Sequence, residues 1–196
     1  YQLLEDARRK FPSSAATVFY GEKYTYSQLG ARVDSFAAAL KKLGIAPGDR
    51  VALMLPTCPQ FVIGFFATLK LGAVAVPTNP LYVEREIEHQ FKDSGAKAVV
   101  CLDLMFGRVK NVWKNTQVQR VIVTSLADEM PAIARFVYKR KLKKQGVKPQ
   151  VENLPGVVRF KDLLKTAPST SINDTGEHES VAILQYTGGT TGVSKG

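Results

Sequence analysis

Short apolar runs alternate along this chain with segments whose apolar residues recur every three or four positions. The apolar runs are rich in β-branched residues and lie at 51–55, 73–76, 98–102 and 118–124. Runs of this kind are typical of strands buried in a parallel sheet. Helices are predicted between them, at 84–93, at 106–114 and from Thr57 to about Leu71. The alternation predicts an α/β fold with a mostly parallel sheet flanked by helices.

The first 45 residues predict a helix, a hairpin and a second helix. Residues 2–10 carry apolar side chains on one helical face, and alternation at 16–20 and 23–26 predicts two strands joined by a tight turn. Thr25 and Gln28 have the spacing of a capping box. The helix that they open has its apolar positions at Leu29, Val33, Phe36, Leu40 and Leu43.

The helix after the first buried strand is apolar nearly all round, which predicts an interior position. Thr57 and Gln60 are placed to cap its first turn. Residues 51–69 carry no charge, but Pro56 and Pro59 interrupt the run. These prolines argue against a helix that spans a membrane.

The chain ends in a loop of glycines, hydroxyl residues and one lysine. It follows an apolar run at 181–185 that predicts a buried strand. The candidate phosphate-binding residues are Thr187, Gly188, Gly189, Thr190, Thr191, Gly192, Ser194 and Lys195. Glycine lets backbone N–H groups approach an anion, hydroxyls donate to phosphate oxygens or ligate Mg²⁺, and lysine supplies positive charge. A loop of this composition after a strand predicts a phosphate site.

Two common phosphate-binding motifs do not fit this loop. The P-loop pattern requires Gly-Lys-Ser/Thr, whereas Lys195 is separated from Gly192 by two residues and followed by Gly196. The dinucleotide pattern G-x-G-x-x-G is also absent from the loop. From composition alone, a glycine-rich surface loop that binds nothing is an equally good interpretation.

The stretch 186–196 resembles the phosphate-binding loop of the adenylate-forming (AMP-binding) superfamily, which includes acyl-CoA synthetases, firefly-type luciferases and adenylation domains of peptide synthetases. The common family form has proline where this chain has Ser194. Four upstream stretches also resemble acyl-CoA synthetases, in order, at 25–29, 48–52, 70–74 and 79–82. The combination is most similar to bacterial long-chain fatty acid CoA ligases.

This resemblance implies an ATP-dependent ligase that forms an acyl adenylate and pyrophosphate and then transfers the acyl group to coenzyme A. Its substrates would be a fatty acid, ATP and coenzyme A, with Mg²⁺ as cofactor. The first loop threonine of the family is associated with the metal, which here is Thr187, and Lys195 would act in catalysis by neutralising phosphate charge. Two alternatives stay open: another carboxylate-activating enzyme, such as an aryl-CoA ligase or adenylation domain, and a non-enzymatic lipid- or membrane-binding module.

A basic segment accounts for most of the net positive charge of the chain. The formal net charge is +10, and seven of the 27 basic residues lie at 135–148 without an acidic residue among them. Apolar residues at 130, 133, 134 and 137 predict a helix with an apolar first half and a cationic second half. A solvated surface helix is the simpler interpretation, and contact of residues 130–148 with an anionic membrane is the alternative. Nucleic acid is disfavoured because no recognition motif accompanies the charge.

The beginning and end of the sequence predict a piece of a longer protein, since it starts at Tyr1 without methionine and stops inside the loop. We expect residues 1–196 to be the N-terminal portion of the large AMP-binding domain, with a variable basic insert at about 126–175. Alone, this portion is expected to be inactive. Cys58 and Cys101 lie in apolar surroundings and predict buried free thiols. The family implies a cytoplasmic protein, peripheral on the inner membrane face if the basic helix binds lipid, and its oligomeric state stays open.

Overall fold

The computed structural model describes residues 1–166 and 180–187. The N-terminal elements are α1 (Gln2–Lys10), β1 (Ala15–Phe19), β2 (Glu22–Thr25) and α2 (Tyr26–Lys42). The next elements are β3 (Arg50–Met54), α3 (Pro59–Lys70), β4 (Val74–Pro77), α4 (Glu84–Ser94) and β5 (Ala96–Leu102). The last are α5 (Phe106–Trp113), β6 (Arg120–Thr124), a 3₁₀ turn (Leu126–Glu129), α6 (Ala132–Lys144), β7 (Val157–Arg159) and α7 (Phe160–Thr166).

The main sheet has five parallel strands in the order β4-β3-β5-β6-β7, which confirms the predicted α/β fold. The chain runs outward from β3 to β4, then returns past β3 to β5 and continues in the opposite direction. Right-handed connections on the two sides of such a reversal place their helices on opposite faces of the sheet.

Two hydrophobic layers result from this winding. Val51 and Leu53 of β3 face a cluster that includes residues of α2, α3 and α7. Ala52 and Met54, which alternate with them, face a second cluster built with α4 and α5. Because neighbouring residues of a strand point to opposite faces, a strand covered on both sides must be apolar throughout, as the run 51–55 is.

The N-terminal hairpin and capping box form as predicted. Strands β1 and β2 pair antiparallel. The N–H of Gln28 donates to Thr25 Oγ1 at 3.2 Å, and the N–H of Thr25 donates to Gln28 Oε1 at 2.9 Å. This reciprocal pair fixes the first turn of α2.

The predicted cap of α3 by Thr57 and Gln60 is wrong. The N-cap is Cys58, without a side-chain cap hydrogen bond, because Pro59 occupies the first helical position, where its fixed φ is favourable. Gln60 is fully buried and donates from Nε2 to the carbonyl of Ser125 at 2.9 Å. Its amide therefore links α3 to the end of β6 instead of capping its own helix.

Within residues 1–166 and 180–187, every helix falls short of the length and apolar character needed to cross a membrane. The two cysteines are free and buried, as predicted. Burial raises the pKa of the Cys58 thiol to about 11 and that of the Cys101 thiol to about 12. Both therefore behave as apolar packing groups rather than nucleophiles.

Candidate functional site

Thr187 is the one predicted phosphate-binding residue that falls inside the described part of the chain, and it is exposed. The other predicted residues lie outside it: Gly188, Gly189, Thr190, Thr191, Gly192, Ser194 and Lys195. Their roles in binding phosphate and metal therefore stay predictions. The site is built here from the segment that leads into the loop.

The segment 181–185 lies beside β4, at the edge of the sheet. Ile183 pairs with Ala75 in a parallel bridge. The N–H of Ala75 donates to the carbonyl of Ala182 at 3.0 Å, and the N–H of Leu184 donates to the carbonyl of Ala75 at 2.9 Å. The segment therefore runs parallel to β4, but where a strand was predicted the described structure has an isolated bridge at Ile183.

The predicted burial of this segment is wrong for the described structure. Val181 is 60% exposed and Ile183 40% exposed. Among the described residues the segment pairs with β4 on one side, and its apolar side chains meet few others. Residues 181–185 are mostly apolar, as in a sheet strand. Their position at the edge of the sheet leaves the side chains of Val181 and Ile183 exposed.

The parallel pairing determines where Thr187 lies. Because Ile183 is level with Ala75, Thr187 falls beyond Pro77, the last residue of β4. It is therefore at the carboxyl edge of the sheet, which is the edge where open α/β sheets bind ligands. A cavity of about 570 Å³ lies at the opposite, amino edge, lined by residues that include Gly48, Arg50 and Gly72. Thr187 thus lies at the edge of the sheet opposite this cavity.

Tyr186, the residue before Thr187, is held by helix α4. Its side chain is buried, and its Oη donates to Asp93 Oδ2 at 2.6 Å. Burial raises the pKa of the Tyr186 phenol, and the Asp93 carboxylate raises it further, so the hydroxyl stays protonated and donates. Sequence reasoning missed Asp93, because a charged residue near the end of a helix gives no signal of a partner 93 residues away.

Helix α4 also holds the end of β4. Gln90 Nε2 donates to the carbonyl of Pro77 at 3.0 Å, while Gln90 Oε1 is buried without a partner among the described atoms. The Arg50 guanidinium donates to the carbonyls of Ser94 at 2.9 Å and Gly95 at 3.1 Å, which secures the carboxyl end of α4. Asp93 and Gln90, one turn apart, thus tie two neighbouring strand ends to one helix.

The buried carboxylate of Glu129 serves the fold. Glu129 is 3% exposed, accepts two hydrogen bonds from the Arg32 guanidinium, and accepts a third from Tyr24 Oη at 2.6 Å. A fully paired carboxylate of this kind joins the 3₁₀ turn to α2 and the hairpin. Within the described residues, no cluster of three or more histidine, cysteine, aspartate or glutamate side chains is arranged to hold a metal ion.

The predicted basic helix forms as α6 and presents its apolar residues to solvent. Ile133 is 82% exposed, Phe136 64% and Val137 59%. A half-buried stripe of Ala134, Tyr138 and Leu142 faces the rest of the fold. Burial raises the pKa of the Tyr138 phenol, with the Asp103 carboxylate adding to the shift. Met130, predicted as part of the helix, precedes it and is buried.

Comparison with known proteins shows which family this chain resembles over nearly its whole length. The family model described as AMP-binding enzyme matches residues 4–196. A long-chain-fatty-acid–CoA ligase of Bacillus subtilis (strain 168) is 35% identical over 196 residues, covering 99% of this chain and 35% of the relative. One from Salmonella typhimurium is 37% identical over 201 residues, covering 100% of this chain and 35% of the relative. The chain therefore spans about a third of the length of these relatives.

A solved structure shares the fold. The anthranilate CoA ligase AuaEII in complex with anthranoyl-AMP superposes with a TM-score of 0.80 at 22% identity, over 98% of this chain and 33% of that chain. At this identity the likeness describes the fold of the chain alone.

Proposed function

This chain belongs to the AMP-binding enzyme family, and from that premise we propose that it is the N-terminal part of an ATP-dependent fatty acyl-CoA synthetase. The enzyme would activate a long-chain fatty acid as its acyl adenylate and transfer the acyl group to coenzyme A. One observation carries the proposal: identity of 35–37% to long-chain-fatty-acid–CoA ligases extends over the whole chain, including the loop.

The proposed reaction has two steps. An oxygen of the fatty acid carboxylate bonds to the α-phosphorus of ATP, and the bond from that phosphorus to the bridging oxygen breaks, releasing pyrophosphate. The thiol of coenzyme A then bonds to the acyl carbon and AMP leaves, while the thiol proton passes to solvent. The first step requires no general base, because a carboxylic acid is already ionised at neutral pH.

The task of the loop in this proposal is electrostatic. Negative charge grows on the departing pyrophosphate, and donors that are already positioned stabilise it without further reorganisation. Backbone N–H groups at Gly188, Gly189 and Gly192, the hydroxyls and the Lys195 ammonium would supply these donors. The position of Thr187 at the carboxyl edge of a parallel sheet supports this assignment.

The Thr187 hydroxyl fits a role at Mg²⁺. Thr187 is exposed at the sheet edge, and a hydroxyl oxygen is a ligand that this ion accepts. Mg²⁺ in nucleotide sites takes few protein ligands and completes its coordination with phosphate oxygens and water. When bound, the ion would supply charge neutralisation of the phosphates.

The assay that tests the proposal is carboxylate-dependent exchange of labelled pyrophosphate into ATP, performed with the longer protein that contains this chain. We expect exchange with acetate, benzoate, octanoate and palmitate to be strongest with palmitate. Exchange only with aromatic or short acids would instead support an aryl-CoA ligase or adenylation domain. No exchange with any acid would refute the enzymatic proposal and favour a lipid-binding module.

A lysine substitution tests the role of the loop in the same assay. Lys195→Ala is expected to lower the exchange rate about 100-fold, because it removes a cation that stabilises the developing charge. Lys114→Ala, at an exposed lysine that follows α5, is the matched control and should leave the rate unchanged. Equal rates in the two variants would contradict the assignment of Lys195.

We propose in addition that α6 contacts an anionic membrane from the cytoplasmic side. Ile133, Phe136 and Val137 share one exposed face of the helix with Arg140 and Lys144, opposite the stripe that faces the fold. Apolar side chains of such a helix enter the lipid interface, and each basic residue near anionic lipid contributes about 1 kcal/mol. A fatty acid substrate, which partitions into membranes, makes this location useful to the proposed enzyme.

Vesicle sedimentation tests the membrane contact. The protein should sediment more with anionic than with neutral phosphatidylcholine vesicles at low salt, and Arg140→Glu/Lys144→Glu should abolish the difference. Lys41→Glu/Lys42→Glu, at the exposed end of α2, makes the same charge change elsewhere and should retain it. Equal sedimentation with both vesicle types would refute the proposal and leave α6 a solvated helix.

A further inference from the structure

One side-chain hydrogen bond joins helix α4 to the residue that precedes the loop. Tyr186 Oη donates to Asp93 Oδ2 at 2.6 Å, and Tyr186 is 7% exposed. Tyr186 is bonded directly to Thr187, so a shift of its ring moves the first hydroxyl residue of the predicted phosphate site. The bond therefore acts at the point where the edge strand becomes the loop.

Helix α4 is a firm base for this contact. Ile87 and Phe91 have no exposed surface and anchor the helix in the core. Arg50 secures the last carbonyls of the helix, and Gln90 ties it to the end of β4. Asp93 thus projects from a helix that is fixed to the same sheet with which 181–185 pairs.

The edge segment is weakly held by comparison. Its pairing with β4 is a bridge at Ile183, and Val181 and Ile183 are 60% and 40% exposed. Two backbone hydrogen bonds to Ala75 hold its middle. At its loop end, among the contacts of the described residues, the Tyr186 ring is buried and its hydroxyl is bonded to Asp93. The precision of the loop start consequently depends on this pair.

We propose that Asp93 is a positioning residue of the phosphate site: through Tyr186 it fixes the place from which the loop approaches the phosphates of ATP. This inference rests on the proposed function, because it assigns the pair to nucleotide binding. Asp93 acts through Tyr186 and touches no reacting atom. Hydrogen-bond donors bind an anion best when the surrounding structure holds them in place. Loss of the bond between Tyr186 and Asp93 should therefore weaken the binding of ATP more than that of the fatty acid.

The test compares KM for ATP with KM for palmitate in pyrophosphate exchange by the longer protein. Tyr186→Phe removes the donor and Asp93→Ala the acceptor, and each should raise KM for ATP about fivefold, the effect of one partly exposed hydrogen bond. The KM for palmitate should change less than about twofold, because the proposed tether acts on the phosphates of ATP and not on the fatty acid. Asp93→Asn keeps an acceptor oxygen and should restore most of the ATP affinity.

Two controls separate positioning from general stability. The double variant Tyr186→Phe/Asp93→Ala should be no worse than either single variant, since both remove the same bond. Glu88→Gln breaks an ion pair with Lys92 on the exposed side of α4 and should leave both KM values unchanged. An unchanged KM for ATP in the single variants, parallel rises in both KM values, or a Glu88→Gln variant that copies Asp93→Ala would overturn the inference.

The inference and the proposed function fail in different ways. If the wild-type protein exchanges pyrophosphate and Asp93→Ala behaves like it, the positioning role is refuted and the enzyme assignment stands. If the wild-type protein exchanges with no acid, the enzyme assignment falls, and calorimetric titration with ATP and Mg²⁺ takes the place of kinetics. In that titration a Kd raised about fivefold in Asp93→Ala supports the tether, and an unchanged Kd refutes it.

Discussion

Helices α4 and α6 end with comparable local signals, but α4 buries apolar side chains in the core and α6 leaves its apolar side chains exposed. Each is followed by a glycine with positive φ, Gly95 at 62° and Gly146 at 69°. Helix α4 buries Ile87 and Phe91 and has tertiary contacts at both ends, whereas α6 has no buried residue. Local signals determine that a helix forms, and tertiary contacts determine whether it can hold something else in place. Of the two, α4 meets the second condition, and it accepts the hydrogen bond from Tyr186.

The largest expected difference between the two helices is in core packing. Phe91→Ala should lower the free energy of unfolding by about 3–5 kcal/mol, because it empties a fully buried position against the sheet. Phe136→Ala in α6 is the matched change at a residue that is 64% exposed, and should cost at most about 0.5 kcal/mol. Urea denaturation measures both. Similar losses would mean that α6 is covered in the intact protein and would break the comparison.

A smaller difference in the free energy of unfolding is expected when the glycines that follow α4 and α6 are replaced. Alanine at either position is strained by the positive φ, at a cost of roughly 1 kcal/mol. At Gly95 a Cβ would also lie 2.6 Å from an Arg50 guanidinium nitrogen, whereas at Gly146 it would meet no atom within 4 Å. Arg50 can move, but only by giving up its bonds to Ser94 and Gly95.

We therefore expect Gly95→Ala to destabilise by about 1 kcal/mol more than Gly146→Ala, the effect of one or two lost hydrogen bonds. Thermal unfolding of the two variants provides the measurement. If Gly146→Ala is the more destabilising of the two, the end of α6 depends more on its glycine than the end of α4. That result would contradict the view that tertiary contacts matter more at α4.

The smallest expected difference between α4 and α6 is in how their stability changes at acidic pH. Hydrogen bonds from Lys92 and Asn115 hold the pKa of Glu88 in α4 below its usual range. A carboxyl group whose pKa is lowered by folding stabilises the native state above its unfolded pKa, and this contribution disappears as pH falls through the folded pKa. Helix α6 contains no acidic residue, so its own charge does not change in this range.

Hydrogen exchange of α4 amides should accordingly become faster as pH is lowered below about 4.5, after correction for intrinsic rates, while α6 amides show no such change. Glu88→Gln should remove the pH dependence of α4. A pH dependence that persists in this variant would assign the effect to another carboxyl group.

The elements predicted between residues 16 and 124 begin and end within two residues of those observed. They were predictable because strands covered on both faces are apolar throughout, and because a capping box such as Thr25 and Gln28 is a local signal. Strand β7 and helix α7 were missed, since three residues of β7 carry no pattern that distinguishes them from a loop. The cap at Thr57 failed because Pro59, not hydroxyl chemistry, determines the first turn of α3.

A phosphate loop can be predicted from the sequence and stays a prediction, whereas the contacts that hold the segment before it could not be predicted. Glycine, threonine and lysine after an apolar run indicate a phosphate loop, and the resemblance to the AMP-binding family is confirmed by the family match. The bond between Asp93 and Tyr186 and the amide of Gln90 on Pro77 depend on how α4 lies across the sheet. Contacts between distant segments leave no periodicity in the sequence, so they became visible only with the fold.

The strand order has a consequence for synthesis on the ribosome. Strand β4 is made second among the sheet strands, yet its outer neighbour at 181–185 follows more than 100 residues later. At about 5–20 residues per second, the outer edge of β4 stays open for on the order of ten seconds in the nascent chain. Open strand edges invite pairing with other chains, and short strands that end in proline resist it. Strand β4 has four residues and ends at Pro77, so its open edge should resist pairing with other chains until 181–185 is synthesised.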